Sequence, residues 1–169
     1  MSKGIFYTGI PSLEELESCP GFPSEERFQL GKVACIECVQ EIPCNPCEGA
    51  CPFGAISIGD KITNLPVLDE DKCVGCGTCV ASCPGLAITV IDMLWSDNEA
   101  LIEFPYEYYP LPHKGELVEA VNRAGETICS GKIMIIRNVG AYAGTTVLGM
   151  SIPKKYAKEV RSIKRLPKA

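Results

Sequence analysis

One run of residues constrains this chain more than any other feature, because it holds four cysteines at fixed spacing. The run, CVGCGTCVASCP at residues 73–84, follows the pattern C-x2-C-x2-C-x3-C-P. Three closely spaced thiolates on a tight loop can each reach a different iron of one four-iron cluster, and the fourth thiolate, before the proline, turns toward a second cluster. Gly75 and Gly77 suit such a loop, since glycine lets the backbone approach the inorganic core and adopt positive φ. The run therefore predicts an iron–sulfur site.

A second copy of the run lies upstream, offset by 32 residues, and lacks only the first cysteine. Its cysteines and proline align one for one with those of the run: Cys44, Cys47, Cys51 and Pro52 fall on Cys76, Cys79, Cys83 and Pro84. The apolar segments after the two prolines, FGAISI and GLAITV, match as well. An internal repeat with pseudo-twofold character is the simplest interpretation.

The repeat departs from its pattern at Glu41, which stands where the downstream run has Cys73. Carboxylates rarely replace thiolate in such clusters, so another cysteine must complete the first site. Cys38 lies three residues upstream of Glu41 and Cys35 six, and a wider loop would let either reach the iron; we favour Cys38 and keep Cys35 as the alternative. The predicted ligands are Cys38 (or Cys35), Cys44, Cys47 and Cys83 for cluster one, and Cys51, Cys73, Cys76 and Cys79 for cluster two.

Eleven cysteines are too many for an ordinary protein of the reducing cytosol, where plain thiols stay unpaired. Only Cys19 and Cys129 stand outside the region from Cys35 to Cys83, and we expect them to be buried as small apolar side chains. Zinc prefers two C-x2-C pairs with a longer separation, and a disulfide scaffold requires an exported chain. The serious competitor is a degenerate repeat that binds one cluster only.

Composition and the amino terminus predict a cytoplasmic protein. Apolar residues make up 46% and charged residues 22% of the sequence, as in an ordinary folded domain. The opening residues, MSKGIFYTGIPSLEELE, contain no apolar run of a signal peptide, and no stretch approaches the roughly 18 apolar residues of a membrane span. We therefore expect no membrane span.

We predict an α+β fold in three parts: a helical extension at residues 1–32, a cysteine-rich domain at 33–91 and a mostly β appendage at 92–169. In the extension, the capping box at Ser12 and Glu15 begins one short helix, and a second begins near Ser24. Short strands should flank the cysteine loops, at residues 55–58, 65–68 and 87–90.

The appendage begins with an extended connector, FPYEYYPLP at residues 104–112, which is too rich in proline for a helix. Pro153 then begins a predicted C-terminal helix through about Arg165. Glycine-containing breaks separate the short runs between them, which predict hairpins: 116–121, 126–129, 133–137 and 145–151.

Basic residues are concentrated at the C-terminal end. Residues 151–169 carry seven Lys or Arg against one Glu, whereas residues 1–150 carry a net charge of −11. A basic helix there would suit an acidic partner or nucleic acid, or would simply be solvated. No aromatic or groove-reading pattern favours nucleic acid, so we do not expect it as a partner.

The run at 73–84 and its repeat resemble the two-cluster bacterial ferredoxin family over residues 33–91. The wider string CIECVQEIPCNPCEGACP, together with CPGLAI, PYEYYPLP and SIPKKYAKEVRSI, resembles the small 4Fe-4S-binding subunits of FAD-dependent amino-acid dehydrogenases, including proline and hydroxyproline dehydrogenase complexes. The resemblance implies a ferredoxin-like domain with two 4Fe-4S clusters, flavoprotein (FAD) dehydrogenase subunits as partners, and other redox subunits.

A cluster held by four thiolates has no open coordination position, so it exchanges electrons without binding substrate. The sequence therefore predicts no autonomous active site and an electron-transfer role, and the resemblance implies a subunit that relays single electrons within a flavin-dependent oxidoreductase. Two alternatives remain: a free, diffusible ferredoxin, and an iron- or redox-sensing regulator in which cluster loss frees the basic C-terminal segment.

Overall fold

The computed structural model of the chain describes residues 4–167 and is built on one seven-stranded antiparallel sheet. Residues 1–3 and 168–169, at the outer ends of the predicted extension and appendage, lie outside the described residues. The helices are α1 Ile5–Thr8, α2 Leu13–Glu17, α3 Glu25–Phe28, α4 Pro46–Ala50 and α5 Thr78–Ser82. The strands are β1 Val33–Ile36, β2 Ile56–Ser57, β3 Val67–Leu68, β4 Ile88–Asp92, β5 Glu99–Tyr106, β6 Leu117–Val121, β7 Thr127–Arg137, β8 Thr146–Pro153 and β9 Ser162–Ile163.

The large sheet runs across the whole chain, in the order β1-β4-β5-β8-β7-β6-β9. β1 and β4, which flank the cysteine loops in sequence, pair with Val33 opposite Ile91 and Ile36 opposite Ile88. β4 then pairs with β5, so the expected boundary between residues 91 and 92 falls inside a strand. The cysteine-rich part and the appendage therefore share one sheet.

The repeat has a structural counterpart in α4 and α5, which pack against each other. Each helix has five residues and ends at the last cysteine of its copy of the motif. Cys51 and Cys83 there have nearly the same backbone angles, φ −79° and ψ 107° against φ −79° and ψ 111°. The small β2–β3 sheet pairs Ile56 with Leu68 beside α4.

β5 lies at the centre of the core. All of its residues except Glu99 are buried, which requires cover on both faces of the sheet. α5 packs against β5 and β8, and β9 also approaches β5. The buried apolar side chains of the cysteine loops and of the large sheet form one continuous cluster.

Several local predictions are confirmed. Ser12 caps α2, and Glu15 completes the reciprocal capping box. Ser24 caps α3 through the backbone N–H of Arg27. The short strands around the cysteine loops are present as β2, β3 and β4, and β6–β7 and β7–β8 pair as antiparallel hairpins.

The prediction of a C-terminal helix is wrong. Lys154–Tyr156 form a short 3₁₀ turn, and the chain then returns to the sheet as β9, where Ile163 lies opposite Ala120. Val160 and Ile163 are buried, and the Arg161 side chain bonds to a carboxylate of the cysteine-rich part. Tertiary burial and pairing therefore override the local helical pattern.

Two further predictions are corrected. Ser130 and Gly131 do not separate two short runs, because β7 continues through them and meets β8 with a register shift between Ile133 and Ile135. The connector is also shorter than predicted, since its first residues, 104–106, belong to β5. In both places, sheet pairing extends further than the turn residues predict.

The basic C-terminal segment folds back on the acidic body. Lys158 forms ion pairs with Glu17 and Glu25, and Lys164 pairs with Glu119 at 2.8 Å. The Arg165 guanidinium lies over the Tyr108 ring, 5.0 Å from its centroid. Much of the segment's positive charge is therefore used within the chain.

We predict that Gly149→Ala destabilises the large sheet. A Cβ at this buried position in β8 would lie 2.8 Å from Cβ of Ile135, an atom too close to the backbone to move aside. Overpacking of this kind costs about 1–3 kcal/mol in the free energy of unfolding. The matched control is Gly144→Ala, where a Cβ meets nothing within 4 Å. Thermal denaturation followed by circular dichroism should show a lower midpoint for the first variant only, and equal midpoints would contradict the packing.

Candidate iron–sulfur centre

Two cavities open among the cysteine loops, and each is lined by four cysteines. Cavity one has about 380 Å³ of unfilled space, part of it open to solvent, and its cysteines are Cys38, Cys44, Cys47 and Cys83. Cavity two has about 310 Å³, and its cysteines are Cys51, Cys73, Cys76 and Cys79. Each set combines three cysteines from one copy of the motif with the last cysteine of the other copy.

The exchange between the copies follows from the ends of α4 and α5. Each helix places a cysteine near its start toward its own cavity, namely Cys47 in α4 and Cys79 in α5. The cysteine that ends the helix turns to the opposite cavity, so Cys51 reaches cavity two and Cys83 reaches cavity one. The packing of α4 on α5 therefore holds the two cavities side by side.

Cys35 and Cys38 differ in whether they line a cavity. Side chains along β1 point alternately to opposite faces of the sheet. Ala34 lines cavity two, whereas Cys35 lies opposite Thr89, is fully buried and lines neither cavity. Cys38 comes after the strand has ended and lines cavity one.

The remaining two cysteines, Cys19 and Cys129, line neither cavity, and each is half-buried instead of buried as expected. The Cys19 thiol contacts the carbonyl of Glu15 at 3.2 Å, and Cys129 lies in β7. Glu41, at the position of the missing cysteine, is exposed and lines neither cavity.

Backbone N–H groups point at several of the cysteine sulfurs. Ala55 donates to Cys51 Sγ at 3.3 Å, and Ala87, its equivalent in the repeat, donates to Cys83 Sγ at 3.4 Å. Ala34 donates to Cys73 Sγ at 3.4 Å. Hydrogen bonds to sulfur favour the thiolate, which is the form that binds metal.

One thiol in each cavity, Cys38 in cavity one and Cys79 in cavity two, resists ionisation. Burial raises the pKa of the Cys38 thiol to about 11, and the thiols of Cys83, Cys47 and Cys44 contribute to that rise. In cavity two, burial raises the pKa of Cys79 to about 12, with further contributions from neighbouring thiols, first of all Cys73. A bound cationic centre would reverse this balance, because metal-bound thiols are deprotonated.

The donor set and its spacing fit a cluster. Four thiolates are the usual ligands of a 4Fe-4S cubane. Within residues 4–167, no group of three or more His, Cys, Asp or Glu side chains is arranged to hold a single metal ion. The cysteines of each set surround a cavity instead of meeting at one point, as the larger cluster requires.

An ionic group that the sequence analysis missed holds the loop of cavity two. Glu103 in β5 is fully buried, with Lys32 Nζ at 2.9 Å and Arg137 Nη1 at 2.8 Å from its carboxylate oxygens. Arg137 Nη1 also donates to the backbone carbonyl of Cys76 at 3.0 Å, and Tyr142 Oη donates to the same oxygen at 2.9 Å. The only sequence signal was a lone charge in the apolar run 100–104.

A second ionic group lies beside cavity one. Glu37 accepts hydrogen bonds from Arg123 at 2.8 and 2.7 Å and also bonds to Arg161. Burial alone would raise the pKa of Glu37, but the hydrogen bonds and charges of the two arginines hold it below its usual value. The backbone N–H of Glu37 donates to the carbonyl of Ala87 at 2.9 Å, which ties this group to the end of the second motif.

Comparison with known families matches residues 66–89 to the model of the 4Fe-4S binding domain. The chain carries a 4Fe-4S binding domain. The matched residues contain the whole C-x2-C-x2-C-x3-C-P run. The cofactors of this domain are 4Fe-4S clusters.

Several relatives of the chain are described as oxidoreductase subunits or ferredoxin-type proteins. The polyferredoxin-like subunit of an aliphatic sulfonate oxidoreductase from Pyrococcus furiosus is 45% identical over 49% of this chain and 41% of its own length. A protein NrfC homolog from Haemophilus influenzae is 37% identical over 45% of this chain and 32% of its own length.

The chain therefore spans less than half the length of these relatives. One subunit of the Na(+)-translocating ferredoxin:NAD(+) oxidoreductase complex from Acetobacterium woodii is 44% identical over 27% of this chain and 13% of its own length. No solved structure matches the chain significantly. None of the helices within residues 4–167 is long and apolar enough to span a membrane.

We predict that Gly75→Ala disrupts cavity two. Gly75 has φ +63°, and a Cβ there would lie 2.4 Å from Cβ and 2.8 Å from the carbonyl carbon of Lys32. The loop cannot keep this path with a side chain, so iron per chain should fall from about eight to about four, the content of one cubane. Gly85→Ala is the control, because a Cβ there meets nothing within 4 Å. The measurement is the iron and sulfide content of each variant after anaerobic reconstitution. Full iron in both variants would contradict the disruption of cavity two by a side chain at position 75.

Proposed function

We propose that this chain is the electron-transfer subunit of a multi-subunit flavin-dependent oxidoreductase and relays single electrons through two 4Fe-4S clusters. The observation that carries the proposal is the pair of adjacent cavities, each lined by four cysteines drawn from both copies of the motif. When bound, each cluster takes up or gives up one electron at a time.

The proposed ligands follow the lining of the cavities. Cluster one is held in cavity one and cluster two in cavity two, each by the four cysteines that line it. This choice favours Cys38 over Cys35, because Cys35 is fully buried and lines neither cavity. The crossed cysteines, Cys51 and Cys83, join the two sites mechanically.

The two sites lie next to each other. The Cys47 thiol of cavity one is among the groups that raise the pKa of Cys79 in cavity two. α4 and α5, which carry these cysteines, are in direct contact. Since all four positions around each cluster are taken by thiolates, the chain supplies a path for electrons and leaves substrate chemistry to a partner.

Several features support a partner subunit. The relatives include subunits of oxidoreductase complexes, and the sequence resembles the small 4Fe-4S subunits of FAD-dependent amino-acid dehydrogenases. A flavin oxidises substrate by two electrons, whereas the clusters accept electrons singly. A relay of two clusters beside a flavin would therefore convert two-electron chemistry into one-electron steps.

Anaerobic purification of the native protein from its own cells tests the proposal. Iron, sulfide, flavin and co-eluting chains are all quantified in the same fractions. We expect about eight irons per chain together with a stoichiometric flavoprotein. A solitary, flavin-free chain with about eight irons would instead indicate a diffusible carrier, and a chain without iron would refute the relay altogether.

We predict that Cys38→Ala loses one cluster and that Cys35→Ala loses none. Removing Cys38 leaves cavity one with three cysteines, so about four of about eight irons should disappear. Cys35→Ala is the matched control, because it removes a neighbouring buried thiol that lines neither cavity. Iron analysis and the visible absorption of the reconstituted variants give the readout. Loss of iron in the Cys35 variant with full iron in the Cys38 variant would reverse the assignment.

A further inference from the structure

The two cavities differ in the groups that contact their cysteine loops. At cavity two, the carbonyl of Cys76 accepts hydrogen bonds from both Arg137 and Tyr142. The donor of the first bond is the Arg137 guanidinium, so a positive charge is hydrogen-bonded to the backbone of a proposed ligand. A positive charge near a cluster stabilises the reduced state, which carries one more electron.

Arg137 is fixed in this position by the buried carboxylate of Glu103. Lys32 binds the same carboxylate, so the group contains two cations and one anion. Gly77 makes room for the guanidinium, since a Cβ there would lie 3.2 Å from Arg137 Nη1. The ion pair with Glu103 therefore holds the charge against the loop, in the space that Gly77 leaves open.

The group beside cavity one also contains two cations and one anion, but its contacts are different. Arg123 and Arg161 bind Glu37, and their remaining hydrogen bonds go to backbone carbonyls of the C-terminal segment: Ala157, Lys158 and Val160. Within the described residues, these two arginines bond to the side chain of Glu37, which precedes Cys38, and to no backbone carbonyl of a proposed ligand. The two cations at cavity one are thus bound to a carboxylate and are not hydrogen-bonded to the backbone of a ligand.

The cysteine sulfurs of cavity two also have more hydrogen bonds than those of cavity one. Within residues 4–167, bonds of normal geometry reach three sulfurs around cavity two, those of Cys51, Cys73 and Cys76, the last with the Thr78 hydroxyl at 3.5 Å. Around cavity one, a bond of this kind within the described part of the chain reaches only Cys83, from the backbone N–H of Ala87. Hydrogen bonds to the sulfurs are among the features that set the potential of a cluster.

We propose that Arg137, anchored by Glu103 and assisted by Tyr142, raises the reduction potential of cluster two above that of cluster one. The inference rests on the proposed function, because it requires a cluster in each cavity. One electron then passes from cluster one, which is oxidised by one electron, to cluster two, which is reduced by one, and no bond or proton changes. Electrons enter on the Cys38 side and leave on the Cys76 side, with Arg137 as a positioning residue.

The test is an anaerobic redox titration of the full chain with both clusters bound, followed by electron paramagnetic resonance. The wild-type protein should show two midpoint potentials. Arg137→Gln should lower the higher of the two and leave the lower one in place. We expect a shift in the equilibrium between the two clusters on the order of tenfold, which corresponds to about 59 mV for a one-electron step.

Two further variants separate the causes. Tyr142→Phe removes one hydrogen bond from the Cys76 carbonyl without changing charge, so it should lower the same potential by less, and it tests the same contact even if Arg137→Gln does not fold. Arg123→Gln is the matched control, which removes a cation from the Glu37 group and should leave the higher potential unchanged.

The outcomes distinguish this inference from the function it rests on. If Arg137→Gln moves the lower potential or neither, or if Arg123→Gln shifts the higher potential as much, the inference is overturned while the relay stands. If the wild-type chain takes up no iron or shows no reducible cluster, the proposed function itself fails.

Discussion

The arrangement of the cysteine loops depends on one constraint, which is that four thiols from two copies of a motif must surround each cavity. α4 and α5 have five residues each, far fewer than an isolated helix needs to be stable in water. They pack on each other, and in addition α5 packs on the large sheet and α4 on β2. Because Cys51 and Cys83 cross between the cavities, each site takes one of its four cysteines from the other copy of the motif.

The sheet contributes the second half of the site. The appendage was expected as a separate element, yet β4 and β5 join the cysteine loops to the rest of the sheet. Through this connection Glu103 on β5 and Arg137 on β7 reach the loop that follows Cys73. The appendage therefore positions the loop and supplies charge to it, which explains why a chain with this motif carries so much additional sheet.

Sequence patterns predicted the local features and missed those that depend on tertiary contacts. The cysteine spacing, the capping box at Ser12 and the short strands after each motif are local patterns, and each has a direct physical cause. The C-terminal helix failed because burial of Val160 and Ile163 and the pairing of β9 outweigh helical propensity in a short segment. The Glu103–Arg137 contact joins residues 34 positions apart, so no local pattern predicts it.

Reductive titration of the anaerobically purified chain tests the central claim most directly. The electrons taken up per chain are counted against a calibrated reductant while the visible absorption of the clusters is followed. Two cubanes that each accept one electron predict an uptake of about two electrons per chain. An uptake of about one electron at full occupancy would contradict the account, because it would leave one of the two cysteine-lined cavities without a redox-active cluster.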